Sequence, residues 1–262
     1  MKFKKKILKI YKEIIFRFKN KINLDKQILN IESLDDLFNY FGTDKGTKVT
    51  NPYKKDSKKL DQKLIGHGYA KFYESHLNIF KNQKINILEI GTWKGASVAA
   101  FYHYFNKALI FCIDKNFKFQ FKSIRVNFFN CDTENPDEIK NLENYIAKNN
   151  SEYFDIIIDD GSHKYQDILN NFQKFFKKIK PGGYYIIEDF NHYKLHPSYI
   201  NDSPSDSLDI SQIFDCLHKK NYFKSDNLNK EFQTFCFENI LNIKTHKGIQ
   251  DYSYIAFIKK VL

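Results

Sequence analysis

Two apolar runs that each stop abruptly in acidic residues constrain this chain more than any other feature. The first, residues 154–159, ends in Asp159-Asp160-Gly161-Ser162-His163; the second, residues 184–188 after the turn Pro181-Gly182-Gly183, ends in Glu188-Asp189. Short apolar runs bounded by turn residues read as strands buried on both faces, the kind found in parallel sheets covered by helices. The spacing predicts strands at 84–90, 108–114, 124–130, 154–159 and 184–188 with helices at 96–105, 137–148 and 165–179 between them. A helix over 208–219 and closing strands near 232–240 and 252–260 complete the pattern. Alternation of this kind implies right-handed crossovers, so the expected fold is α/β. It is a doubly wound, Rossmann-like sheet, mostly parallel with an antiparallel C-terminal strand, preceded by a short helical extension. The carboxyl ends of such strands face one crevice, so both acidic clusters belong to one rim.

Along the chain we expect a basic amphipathic extension over 1–30, a helical preamble over 31–80 and a catalytic domain over 81–262, with a polar lid near 190–207. The formal charge of +11 is concentrated at the start, where ten Lys/Arg face only Glu13 and Asp25 in residues 1–30. The rest is nearly balanced, which argues against a groove that tracks nucleic-acid phosphates. Within that segment Phe3, Ile7, Tyr11, Ile14, Phe18 and Ile22 form a helical stripe among lysines. Such a helix either docks on its own domain or a neighbouring subunit, or lies as a peripheral contact on an anionic membrane. No apolar run approaches the ~20 residues needed to span a bilayer, and no secretory h-region stands at the start. Cys112, Cys131, Cys216 and Cys236 form no CxxC pair, so a cytoplasmic protein without disulfides or a zinc knuckle is expected.

At the end of the first core strand lies Glu89-Ile90-Gly91-Thr92-Trp93-Lys94-Gly95. The glycines permit a tight turn and close approach of a ligand, and Glu89 adds an anion that suits a cationic one. The GxGxxG dinucleotide fingerprint is absent. Asp114, ending the next strand, is placed to accept ribose hydroxyls, and Asp132 could receive an adenine amino group. Together these acids favour S-adenosylmethionine as cofactor, with Gly91, Thr92, Gly95 and Ser97 at the turn.

The order of these motifs resembles the class I S-adenosylmethionine-dependent methyltransferases, and more narrowly the metal-dependent sugar O-methyltransferases of macrolide tailoring, with their cephalosporin-hydroxylase-like relatives. The resemblance covers roughly residues 35–200 and rests on Gly42-Thr43-Asp44-Lys45-Gly46, His67-Gly68-Tyr69 with Tyr73-Glu74, the 159–163 block, and Pro181-Gly182-Gly183 leading to Glu188-Asp189 with Tyr193 beyond. It implies that Asp160, Glu188 and Asp189 hold Mg2+, that His163 is the general base, and that Glu89, Gly91, Asp114 and Asp132 surround the cofactor. Asp159 reads as a structural strand-end residue on the cofactor side rather than a metal ligand, and His67 and Tyr69 as pocket-positioning residues or core. His192 and His196 lie in the lid, within reach of an acceptor.

The chemistry agrees with that implication. A sugar hydroxyl holds its proton tightly, chelation to a divalent cation lowers the cost of removing it, and an imidazole with a pKa of about 6.5 can accept it. The acceptor expected is a small-molecule or nucleotide-linked sugar, handled by a homo-oligomer; a catechol or phosphate-linked acceptor is the nearest alternative. An iron hydroxylase would require two histidines and one carboxylate, whereas the strand ends supply one histidine. A non-catalytic membrane-associated module would leave the acidic cluster without a task.

Overall fold

In the computed structural model of the protein, residues 2–49, 64–149, 151–196 and 208–262 are described, with side chains from residue 7 onward and without that of residue 64. The core is a seven-stranded sheet of β1 (Asn86–Ile90), β2 (Leu109–Asp114), β3 (Val126–Asn130), β4 (Phe154–Asp159), β5 (Ile179–Glu188), β6 (Ile240–Lys247) and β7 (Tyr254–Lys260). Their order is β3-β2-β1-β4-β5-β7-β6, with all pairs parallel except those made by β7. The expected mostly parallel sheet with an antiparallel C-terminal strand is what forms. Strand residues alternate between two cores: Ile87, Ile110, Ile156, Ile158 and Ile186 pack on one side, and Leu88, Phe111, Ile157, Tyr185 and Ile187 on the other. Burial on both faces is why these strands read as unbroken apolar runs.

Nine α-helices are found among the described residues: α1 (Lys2–Phe18), α2 (Leu34–Phe41), α3 (Ala70–Leu77), α4 (Ala96–Tyr104), α5 (Pro136–Lys148), α6 (Tyr165–Phe175), α7 (His192–Leu195), α8 (Ile210–His218) and α9 (Lys230–Asn239). Helix α2 starts at Ser33, whose hydroxyl accepts the Asp36 N–H, carries Asp35 and Asp36 in its first turn, and stops at Gly42 in the left-handed region. These are the ordinary start and stop signals of a helix. Leu34, Leu37, Phe38, Tyr69, Tyr73 and Leu77 of the preamble are fully buried in the same core as Ile87 and Ile110. The preamble is thus packed into the sheet's own core.

Two expectations are corrected. Residues 232–240, expected as a strand, form most of α9, capped by Asn229 accepting the Phe232 N–H. Phe232, Gln233 and Cys236 are its buried face, a helical spacing. The strand follows at β6, an edge strand with polar residues exposed to solvent. Further, β5 begins at Ile179 and runs through Pro181-Gly182-Gly183, with an irregularity in its pairing to β4. The polar loop expected to run to Asp61 falls largely in 50–63, and the lid largely in 197–207, both outside the described residues; the start of the lid is the short helix α7.

Helix α1 touches the domain through few side chains. Phe16 is buried between Phe117 and Phe128, at ring-centroid distances of 5.5 and 5.2 Å. Lys21 Nζ lies 3.8 Å from the Phe16 ring centroid, and Lys9 pairs with Glu138 at 2.6 Å. Ile7, Leu8, Tyr11, Ile14, Ile15 and Phe18 remain at least half exposed. No helix among the described residues is long and apolar enough to cross a membrane.

Candidate functional site

The strand order reverses between β1 and β4, and there the carboxyl ends open into a cavity of about 1170 Å³. That is the expected ligand crevice of an open α/β sheet. Gly91 (φ 87°) is forced by contact: a Cβ there would strike the Asp160 carbonyl, so the loops after β1 and β4 lie directly against each other. The Asp160 N–H donates to the Ile90 carbonyl at 2.9 Å and seals that approach.

One half of the cavity is built by Gly91, Thr92, Trp93, Ser97, Asp114 and Asp132. The Asp114 carboxylate is fixed by the Trp93 N–H (2.8 Å) and the Asn116 N–H (2.6 Å), one to each oxygen. Lys118 Nζ sits 3.4 Å from the Trp93 ring centroid. Beneath the loop Glu89 is fully buried, and neither oxygen makes a well-formed hydrogen bond among the described residues. Burial pushes its pKa up, against the opposing pull of the Lys45 ammonium and the nearby Ser97 hydroxyl. A buried carboxylate in that state is a fit partner for a ligand carrying positive charge.

The other half is acidic and imidazole-rich. Parallel pairing of Asp159 with Ile187 puts the next residues, Asp160 and Glu188, side by side. Between them stands Lys45, only 1% exposed, with Nζ 2.5 Å from Asp160 Oδ2 and 2.7 Å from Glu188 Oε2. The other Glu188 oxygen accepts from the Tyr73 hydroxyl. Burial alone would lower the Lys45 pKa, but Asp160 and Glu188 reverse this and hold it well above its usual value. Burial pushes Glu188 up to about 7, despite Lys45, and raises Asp160 well above the usual carboxylate range, with Glu188 adding to the rise.

Asp189 follows in a left-handed conformation (φ 55°). It accepts from the Tyr69 hydroxyl and lies 3.5 Å from His67 Nδ1 and 3.3 Å from His192 Nε2. Burial would raise its pKa, but the His192 hydrogen bond and the neighbouring His67 and His163 imidazoles hold it well below the usual range. His163, also left-handed (φ 58°), places Nε2 3.7 Å from Asp160 Oδ1, and burial lowers it to about 4. It is therefore a neutral imidazole, able to accept a proton. Left-handed backbone at three non-glycine positions around one cavity, Trp93 being the third, marks strain held by the surrounding structure.

Of the residues expected at the site, Gly91, Thr92, Ser97, Asp114, Asp132, His67, Asp160, His163 and Asp189 line the cavity. Glu89, Gly95, Tyr69, Asp159 and Glu188 do not. Gly95 lies under the Phe119 ring. Asp159 turns inward to Asn171 (3.3 Å) and the Tyr185 hydroxyl (3.2 Å), and burial raises it to about 7. Lys45 has no counterpart among the sequence expectations, which quoted it only inside a motif. His67 and His192, from outside the strand ends, both reach Asp189.

The side chains facing the cavity fit a divalent cation. Asp160, His163 and Asp189 each offer a ligand atom within 4.8 Å of the others. Asp160 and Glu188 share the single ammonium of Lys45, while Asp189 faces the imidazoles of His67 and His192. Glu188 could join Asp160 and Asp189 as a ligand only by releasing Lys45.

Residues 88–190 match a family model described as a methyltransferase domain. The chain is 28% identical over 154 residues to the demethylmacrocin O-methyltransferase of Streptomyces fradiae, covering 56% of this chain and 38% of that protein. It is 26% identical over 166 residues to the 8-demethyl-8-alpha-L-rhamnosyl tetracenomycin-C 2'-O-methyltransferase of Streptomyces olivaceus, covering 60% and 43%. The chain thus spans less than half the length of these relatives. Among solved structures, the MycE methyltransferase of the mycinamycin pathway, in complex with Mg, SAH and mycinamycin VI, superposes with a TM-score of 0.61 at 20% identity, over 88% of this chain and 55% of that one. The shared architecture is the α/β Rossmann-like methyltransferase fold.

Proposed function

We propose, from the premise that residues 88–190 are a methyltransferase domain, that the chain transfers a methyl group from S-adenosylmethionine to a sugar hydroxyl with a divalent cation, Mg2+, at the acidic rim. The observation that carries this is the single cavity in which Gly91, Asp114 and Asp132 continue into Asp160, His163 and Asp189. The rhamnosyl acceptor of the Streptomyces olivaceus relative supports the acceptor class.

In this reading the first half of the cavity binds the cofactor. Asp114, oriented by two main-chain N–H groups, keeps lone pairs for ribose hydroxyls, and Glu89 supplies a buried negative charge below the turn. Asp160 and Asp189 would hold the cation, whose charge makes an acceptor hydroxyl easier to ionise. His163 Nε2 takes the hydroxyl proton, and Asp160, 3.7 Å away, stabilises the imidazolium that forms. Lys45 fixes the spacing of Asp160 and Glu188. Holding the reacting groups in one geometry is the main source of rate in a displacement of this kind.

Helix α1 adds a peripheral contact. Its outward stripe, Ile7, Leu8, Tyr11, Ile14, Ile15 and Phe18, is flanked by lysines, the composition that anionic lipid surfaces attract at about 1 kcal/mol per basic residue. Vesicles containing phosphatidylserine should retain the full chain and lose a variant lacking residues 2–18. Loss of self-association instead would assign the stripe to a second copy.

The experiment for the activity is transfer of labelled methyl from S-adenosylmethionine to a panel of nucleotide sugars, with Mg2+ and with EDTA. Label in a sugar product that disappears in EDTA supports the reading; label with equal yield in EDTA removes the cation from it.

A further inference from the structure

We propose that His67, Asp189 and His192 form a second cation position, selective for a first-row transition ion and distinct from the oxygen-rich set around Asp160. One ligand atom from each of the three residues lies within 4.8 Å of the others, and all three side chains are buried. They come from three separate elements: the segment before α3, the end of β5 and the start of α7. His67 Nδ1 and His192 Nε2 converge on the same oxygen, Asp189 Oδ1, at 3.5 and 3.3 Å.

The surroundings hold these three groups in place. The Ser253 hydroxyl lies 2.5 Å from His67 Nδ1, and the Tyr69 ring stacks on His67 at 5.1 Å while its hydroxyl holds Asp189. Tyr252 packs edge-on against His67 and His192, at centroid distances of 6.1 and 5.1 Å. The Ser253 contact falls on the same nitrogen that faces Asp189, so an ion bound at Nδ1 would take the place of that hydroxyl, while the ring packing holds both imidazoles in position. Asp189 has a left-handed backbone (φ 55°), and its carboxylate meets both imidazoles.

Donor chemistry decides which ion. Two imidazoles and one carboxylate are borderline donors that suit Zn2+, Co2+, Mn2+ or Fe2+, whereas Mg2+ takes oxygen donors and keeps its waters. The neighbouring Asp160, His163 and Asp189 set has the opposite balance, two carboxylates and one imidazole. Asp189 belongs to both, so the two positions are adjacent. This inference stands on the described geometry and does not rest on methyl transfer.

The test uses the full chain stripped with EDTA and titrated with CoCl2 alone, followed by the visible cobalt spectrum and by X-ray absorption at the cobalt edge. One cobalt per chain with two imidazole ligands is expected, retained in about hundredfold excess Mg2+. His67→Ala and His192→Ala should each weaken cobalt binding by about 10-fold or more, and His196→Ala by less than about twofold. One imidazole or none in the absorption data would overturn the proposal by placing the ion at the Asp160 set or elsewhere. Unchanged affinity in both variants would overturn it as well. Should the variants fail to fold, the imidazole count in the unaltered chain decides alone. Because no cofactor or acceptor is present, failure here is separate from failure of the methyltransferase reading.

Discussion

Lys45→Met keeps the length and apolar stem of the side chain and deletes its charge, leaving Asp160 and Glu188 facing each other without the ammonium that lies 2.5 and 2.7 Å from them. Removing one partner of a buried ion pair costs about 3–5 kcal/mol, because a charge is left uncompensated. Here the carboxylates can escape part of that cost by binding protons. Glu188 already sits at about 7 with Lys45 present, and both acids move higher without it. An acid whose folded pKa lies above its unfolded value binds protons preferentially when folded, so the penalty is full at high pH and is relieved as pH falls. We therefore expect a loss of about 3 kcal/mol at pH 8 that shrinks by about 1–2 kcal/mol at pH 6. Urea unfolding of both proteins in EDTA at the two pH values measures it. A variant within about 0.5 kcal/mol of the parent at pH 8, the range of an ordinary surface change, would refute the claim that Lys45 neutralises this rim.

Three further outcomes are expected. His163→Gln should lower turnover by about 100-fold or more while leaving cofactor affinity nearly unchanged, as loss of a general base does; steady-state kinetics with isothermal titration separates the two. Asp114→Ala should weaken cofactor binding by about 10-fold or more, since two ribose-accepting oxygens vanish, and the same titration reads it. Far from the cavity, His76 Nε2 lies 2.9 Å from His246 Nε2, and burial with the His246 charge lowers His76 to about 4. The unfolded chain takes up that proton near pH 6.5 and the folded chain does not, so stability falls between about pH 6.5 and 4. Discounted for partial exposure, the loss is about 1–2 kcal/mol. Thermal melts of His76→Gln should show a flatter pH profile over that window.

The parallel strands were legible because both of their faces are buried, which writes an apolar run directly into the chain, and because acids cannot continue such a run. Residues 154–159 are bounded in the structure as the sequence predicts. Residues 232–240 were not legible as a helix: Phe232, Phe235, Cys236 and Phe237 are strand-favouring types, and only the Asn229 cap and the spacing of Phe232 and Cys236 reveal the turn. Edge strand β6 was hidden for the converse reason, since polar side chains on its exposed positions break the apolar pattern. At the site, Asp160, His163 and Asp189 announced themselves by lying at strand ends. Lys45 did not, being one of 42 Lys and Arg in a lysine-rich chain; its single local signal was the glycine-flanked segment 42–46. The meeting of His67 with His192 depends on the loop carrying Tyr252 and Ser253, a tertiary contact that no local pattern encodes.

The central claim is that the cavity at the β1–β4 switch point binds S-adenosylmethionine. Calorimetric titration of the purified chain with S-adenosylmethionine, and separately with NAD, in Mg2+ and in EDTA, tests it most directly. Saturable one-to-one binding of S-adenosylmethionine and none of NAD is expected, with Asp114→Ala weakening the former. Absence of S-adenosylmethionine binding under both conditions would contradict it and leave the acidic rim to be explained by other chemistry.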